Sequence, residues 1–203
     1  MTTSTETAEK TSSPKSSFLV IVESPAKAKT IGKYLGAGFQ VEASIGHIRD
    51  LPEKAERKAA DGEPKPKRAP AKKGEKKPAE PKPMDIPGVD MQSFATTYVI
   101  TPDRRELVTK LRRLKKAASA VWFATDLDRE GEAIAWHLAE LLGVDPTKAK
   151  RVEFDEITRS AIVKAFEQPR ATEIDRVNAQ QARRILDRIV GYEVSPVLWK
   201  KVA

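Results

Sequence analysis

The sequence predicts an α/β domain built on a largely parallel sheet flanked by helices, followed by an incomplete all-helical segment. Three observations predict it. Short apolar runs at 18–22 and 120–124 each lead into an amphipathic stretch; such runs and stretches alternate up to residue 154; and from Ile157 on only helical spacing remains. FLVIVE (18–23) reads as a buried strand, because five apolar residues, two of them valine, are bounded by turn chemistry. Ser24 as N-cap and Pro25 as first helical residue open a helix through AKAKTIGKYL that ends near Gly36. FQVEAS (39–44) alternates like a strand, and TTYVIT (96–101) reads as another. Pro102-Asp103 then starts a helix with Leu107, Leu111, Leu114 and Ala118 at helical spacing. AVWFAT (120–125) is a central strand by the same reasoning as FLVIVE. Ile134, Leu138, Leu141 and Leu142 form a helical stripe that stops at Gly143, and RVEF (151–154) is short and strand-like.

Beyond residue 157, Ala182, Ile185, Leu186, Ile189 and Val190 follow the helical pattern, with Arg184 and Arg188 one turn apart on the opposite face. GYEVSP reads as a turn, and LWKKVA is an apolar stretch with no visible partner, as expected at the start of a second domain. The expected organisation is a tail at 1–17, an α/β domain at 18–157 interrupted by an insert at 54–83, and a helical segment at 158–203.

Composition narrows the function. The chain has 203 residues, 39% apolar and 33% charged, with a formal net charge of +8 and no cysteine. That is enough chain for one ordinary core. The lack of cysteine excludes disulfide frameworks, thiolate zinc sites, iron–sulfur clusters and cysteine nucleophiles. No apolar run is long enough to span a bilayer. The Thr/Ser-rich residues 1–17, with Glu6 and Glu9, match a disordered tail and not a signal peptide, so a cytoplasmic location is expected. Residues 54–83 hold eleven Lys/Arg against five Asp/Glu, a net of +6, with six prolines and two glycines. Such a stretch cannot bury enough surface to order itself. It is either a solvated spacer or a weak, salt-sensitive attractor of phosphate backbones. The positive balance points to a polyanionic partner such as nucleic acid.

Ligands of parallel sheets bind outside the carboxyl ends of the strands. Two predicted strands end there in acid, at Glu23 and at Asp126. After the second comes Asp126-Leu127-Asp128-Arg129-Glu130-Gly131-Glu132, four carboxylates at alternate positions leading into a helix. Near-extended spacing places Asp126 and Asp128 on one side, and Glu130 joins them from the first helical turn. Oxygen donors without imidazole or thiolate favour a hard cation such as Mg²⁺, which leaves coordination sites for water and phosphate. Capping of a helix N-terminus accounts for one such acid, but not for four. An EF-hand loop would need Glu where His137 stands. A solvated face does not fit an acid that directly follows an apolar strand.

Basic residues flank this cluster. Lys27 lies in the first turn after Glu23, where its ammonium and the helix N-terminus face an anion together. Arg129 sits inside the acidic run, placed to hold a phosphate. His47 and Arg49, in the loop after the second strand, reach toward the same cleft, whereas His137 reads as a core residue. Arg184 and Arg188 either grip a nucleic-acid backbone or form a solvated helix face.

VESPAKAKTI (22–31), GHIRDLP (46–52), DLDREGEAIAWHL (126–138) and QQARRILDRIVGYEVSPVLWKK (180–201) together resemble the N-terminal part of type IA DNA topoisomerases, most of all the bacterial type I enzymes. A lone Glu with D-x-D-x-E indicates only the Toprim fold, shared with primases and some nucleases; SPAKAK and GHIRDLP narrow it. The resemblance implies a Toprim-type sheet. It also implies a reaction in which a tyrosine cleaves one DNA strand to give a 5′-phosphotyrosyl link, another strand passes, and the 3′-hydroxyl reseals the break. It assigns Glu23 to proton transfer at the 3′-oxygen, Asp126, Asp128 and Glu130 (with Glu23) to Mg²⁺, and Lys27 to positioning the scissile phosphate. Arg184 and Arg188 match arginines that bind single-stranded DNA. Catalytic roles are thus expected for Glu23, Lys27, Asp128 and Arg129, and DNA contacts for His47, Arg49, Arg184 and Arg188.

Tyr34, Tyr98 and Tyr192 do not match the family's nucleophile motif, which lies in a domain past the point matched by residue 203. The expectation is therefore a portion of such an enzyme, inactive alone, that works with the enzyme's remaining domains on negatively supercoiled DNA, as a nucleoid-associated monomer without membrane contact. The other readings are a non-catalytic DNA-binding or regulatory fragment, dominated by the basic insert, and a Toprim nuclease.

Overall fold

The computed structural model describes residues 18–53 and 86–202. The predicted tail at 1–17 and the predicted insert at 54–83 lie outside the described residues. In chain order the elements are β1 (Phe18–Val22), α1 (Pro25–Leu35), β2 (Phe39–Ala43), β3 (Arg49–Asp50), β4 (Val99–Ile100), α2 (Arg105–Ala117), β5 (Ala120–Phe123), α3 (Arg129–Leu141), β6 (Lys150–Arg151), α4 (Arg159–Glu167) and α5 (Ile174–Val202). The chain divides into two compact units, Met1–Ile48 with Thr101–Gln181, and Arg49–Ile100 with Ala182–Ala203.

The first unit holds a parallel four-stranded sheet in the order β2-β1-β5-β6. The two central strands, β1 and β5, are apolar because both of their faces are covered. On one face Val20, Val22, Trp122 and Ala124 pack with Ile31 of α1 and with Ile162 and Phe166 of α4. Leu19, Ile21 and Phe123 alternate with them in sequence and are equally buried. Ser24 caps α1 as expected, its hydroxyl accepting from the Lys27 N–H at 3.3 Å, with Pro25 next. Gly36 ends that helix at φ +80°, a conformation that favours glycine. Connections from β1 run to β2 on one side, while β5 pairs on the other, so the order reverses between β1 and β5. Ligands of open α/β sheets bind at such a point.

Three expectations change. RVEF (151–154) is strand only at Arg151, because β6 is Lys150–Arg151. TTYVIT does not join the parallel sheet: only Val99–Ile100 pairs, antiparallel to Arg49–Asp50, in a separate two-stranded sheet of the second unit. Thr96 bridges back to Val89, and Pro102 stops the strand beyond Thr101. GYEVSP is no turn either, since α5 runs through it with Pro196 inside the helix. In the second unit Ile185, Ile189 and Tyr192 pack against Leu51, Ile86 and Val89, so two of the five residues of the predicted stripe meet this core. Leu186 and Val190 remain 58% and 47% exposed.

Candidate active site

Glu23 and Asp126 follow β1 and β5, adjacent strands whose parallel register brings their carboxyl ends together. The Glu23 carboxylate accepts the Asp126 N–H at 2.6 Å. Lys27, on the first turn of α1, reaches across and pairs with the Asp126 carboxylate. The two acids are therefore unequal. Burial, together with the neighbouring Asp126 carboxylate, pushes Glu23 above the usual carboxylate range. Asp126 is held below its ordinary value: burial opposes this, but the bonds from Lys27 and Glu23 outweigh it. Two acids driven apart in this way divide naturally into a proton carrier and a fixed anion.

The rest of the acidic run has separate partners. Asp128 is the N-cap of α3 and accepts the Gly131 N–H at 2.8 Å. Glu130 faces His47, whose Nε2 lies 3.2 Å from Oε2, and the same oxygen accepts from Gln180 Nε2 at 3.1 Å. Arg129 is exposed on the first turn of α3. Gly131 is the reason that α3 can start so close to the strand ends. A Cβ there would lie 2.2 Å from the Asp126 carbonyl oxygen and 2.8 Å from Glu23 Oε1, nearer than any side chain tolerates. Among the described residues, no three His, Asp or Glu side chains are gathered closely enough to hold an ion. The structure places Glu23, Lys27 and Asp126 side by side and His47 beside Glu130, while Asp128 is engaged as a cap.

Glu132, the fourth acid of the run, is a structural residue that periodicity does not reveal. It is fully buried, accepting from Arg151 Nε at 3.1 Å, from both terminal nitrogens of Arg170 at 2.9 Å, and from the Glu173 N–H at 2.7 Å. Burial pushes this carboxyl up, but the bonds from Arg170 and Glu173 and the Arg151 charge hold it below its ordinary value. Arg151 is itself fully buried and donates to the carbonyls of Phe123, Thr125 and Asp126, which binds it to the end of β5 just where Asp126 emerges. The only sequence signal of Arg151 is that it opens the short strand-like run RVEF (151–154).

The second unit carries the other predicted contacts. Arg184 forms a two-pronged pair with Asp50, while Arg188 donates to the carbonyls of Leu51 at 3.0 Å and Pro52 at 2.9 Å. Tyr192 donates to the Glu53 carbonyl at 3.0 Å. The face read as either a nucleic-acid grip or a solvated face thus holds segment 50–53. A groove of about 410 Å³ remains beside it, lined by Arg184, Asp187, Arg188, Gly191 and Tyr192. Arg49 lies over the Tyr98 ring, 5.7 Å from its centroid.

A parallel sheet with an acid after each of its two central strands, a lysine on the first helix and a carboxylate-rich helix start defines a known class. Residues 18–157 match the Toprim domain family, and the chain belongs to it. Over longer stretches it is similar to proteins named DNA topoisomerase 1. The Pseudomonas aeruginosa protein is 54% identical over 190 residues, covering 91% of this chain and 22% of the relative. The Escherichia coli protein is 52% identical over 188 residues, covering 91% and 21%. Full-length topoisomerase I from Thermotoga maritima superposes with a TM-score of 0.70 at 40% identity, covering 89% of this chain and 26% of that one. The chain spans about a fifth of the length of the two curated relatives.

Proposed function

We propose that this chain is the metal- and phosphate-handling portion of a bacterial type IA DNA topoisomerase. The observation that carries the reading is the Glu23–Asp126–Lys27 constellation at the strand-order reversal, within a chain similar to such enzymes over nine-tenths of its length. Lys27 supplies a cation for the scissile phosphate. Glu23, the acid with the raised pKa, delivers a proton to the departing 3′-oxygen and takes it back on resealing. The nucleophilic tyrosine is contributed by another part of the enzyme.

The donor chemistry suits a hard divalent cation, since Glu23, Asp126, Asp128 and Glu130 offer only oxygen, and these acids must draw closer to share one ion. When bound, Mg²⁺ supplies charge neutralisation at the phosphate. Binding there requires Asp126 to exchange part of its contact with Lys27, and Asp128 to share its cap. Arg129 joins the phosphate from the same helix start. Arg184 and Arg188, with Arg49 and His47, are the DNA contacts of the reading, and a cytoplasmic, nucleoid-associated monomer is its expected state. Among the described residues, no helix is long and apolar enough to cross a membrane.

The test is a Mg²⁺ titration with a parallel plasmid assay. The pure chain is expected to bind Mg²⁺ weakly, to lose that binding in Asp126→Asn with Asp128→Asn, and to leave supercoiled plasmid unrelaxed. Metal-dependent nicking by the chain alone would favour the nuclease reading instead.

A further inference from the structure

The first two turns of α5 carry two side chains that reach the acidic run. Arg176 donates from Nη1 to the Leu127 carbonyl at 2.6 Å, and Leu127 is the residue between Asp126 and Asp128. One turn further on, Gln180 donates to Glu130 Oε2 at 3.1 Å. Gln180 is only 5% exposed, an unusual setting for a glutamine. The direction of its bond is not in question, because a carboxylate only accepts, so the amide nitrogen faces it. His47 meets the same oxygen at 3.2 Å, so both donors converge on Oε2 of Glu130.

We propose that Gln180 and Arg176 are positioning residues for the acidic run. Gln180, together with His47, fixes the rotamer of Glu130 through Oε2 and leaves its second oxygen for a divalent cation. Arg176 fixes the peptide that sets the relative orientation of Asp126 and Asp128. Without these bonds a glutamate on an exposed helix start samples several rotamers, and an ion must order it on binding. Hydrogen-bonded partners of metal-binding carboxylates act in this way, and losing one typically weakens metal affinity about 10–100-fold. The inference rests on the proposal that these acids hold Mg²⁺.

The experiment is a calorimetric titration of the 203-residue chain with Mg²⁺, repeated with Mn²⁺ by electron paramagnetic resonance. Thermal unfolding in a chelator is measured alongside. The variants are Gln180→Met, Arg176→Met, Arg176→Lys, and Asp126→Asn with Asp128→Asn. Gln180→Met is expected to bind about tenfold more weakly. Arg176→Met is expected to weaken in the same sense, and Arg176→Lys to recover most of the loss, since lysine still donates to one carbonyl. Unfolding in chelator should stay close to the parent value. Arg176 is about half exposed, so its two variants serve even if Gln180→Met fails to fold. If Gln180→Met and Arg176→Met titrate like the parent while the double acid variant loses binding, the positioning roles are overturned and the metal reading stands. If the double acid variant binds like the parent, both fall. A loss of affinity matched by an equal loss of fold in chelator also overturns the positioning roles.

Discussion

Replacing Glu132 with Gln removes one charge from a site that water cannot reach. The carboxylate accepts four hydrogen bonds between 2.7 and 3.1 Å, from Arg151, twice from Arg170, and from the Glu173 backbone. A glutamine keeps one acceptor but turns its NH₂ toward guanidinium donors, and it leaves Arg151, fully buried, without its counter-charge. Breaking a buried ion pair on one side costs about 3–5 kcal/mol. Arg170 is 24% exposed, so water recovers part of its share and the lower end, about 3 kcal/mol, applies. At about 2–4 °C per kcal/mol for a chain of this size, Glu132→Gln should melt about 6–12 °C below the parent by circular dichroism at pH 7. The folded-state pKa of Glu132 is depressed, so its stabilisation is present above the ordinary carboxylate pKa and is lost as pH falls through the folded value. The gap between parent and variant should therefore narrow in acid. A drop below about 2 °C at pH 7, or a gap that widens in acid, would refute the role given to this network.

Three further outcomes follow from the geometry. Gly131→Ala must push α3 away from Asp126 and Glu23, so it should destabilise by about 1–3 kcal/mol although alanine favours helix; a more stable variant in urea unfolding would contradict the close approach. Lys27→Met should raise the Asp126 pKa in an NMR titration, because the lysine holds that carboxyl down, and an unchanged value would show another cause. Asp50→Asn should release Arg184 and strengthen binding of a short single-stranded oligonucleotide with a steeper salt dependence, and unchanged filter binding would argue against Arg184 as a phosphate contact.

Local signals made the front of the sheet legible. Ser24-Pro25 after five apolar residues specifies a capped helix after a strand, and an acid after each apolar run falls at the strand ends because parallel strands share an orientation. Long-range partnership was not legible. Glu132 reads as a member of the acidic run, yet its partners Arg151 and Arg170 lie 19 and 38 residues away and obey no period. Gly131 is an unremarked glycine in a helical pattern until the Asp126 backbone is placed beside it. Periodicity located the apolar and basic sides of α5, but not what would cover them, and segment 50–53 took the basic side. β-Branched residues made 96–101 look like a strand, while only Val99 and Ile100 form a ladder and Thr96 a lone bridge.

Transplanting this chain into the Escherichia coli relative, in place of the fifth of that protein that it matches, allows the reading to be measured as relaxation of supercoiled plasmid. The chimaera should relax plasmid in Mg²⁺ and trap a covalent DNA adduct, and Glu23→Ala or Asp126→Asn with Asp128→Asn in the transplanted segment should abolish or sharply reduce relaxation. A folded chimaera that binds DNA but never relaxes it, or one indifferent to both substitutions, would contradict the assignment of these residues to strand cleavage and resealing.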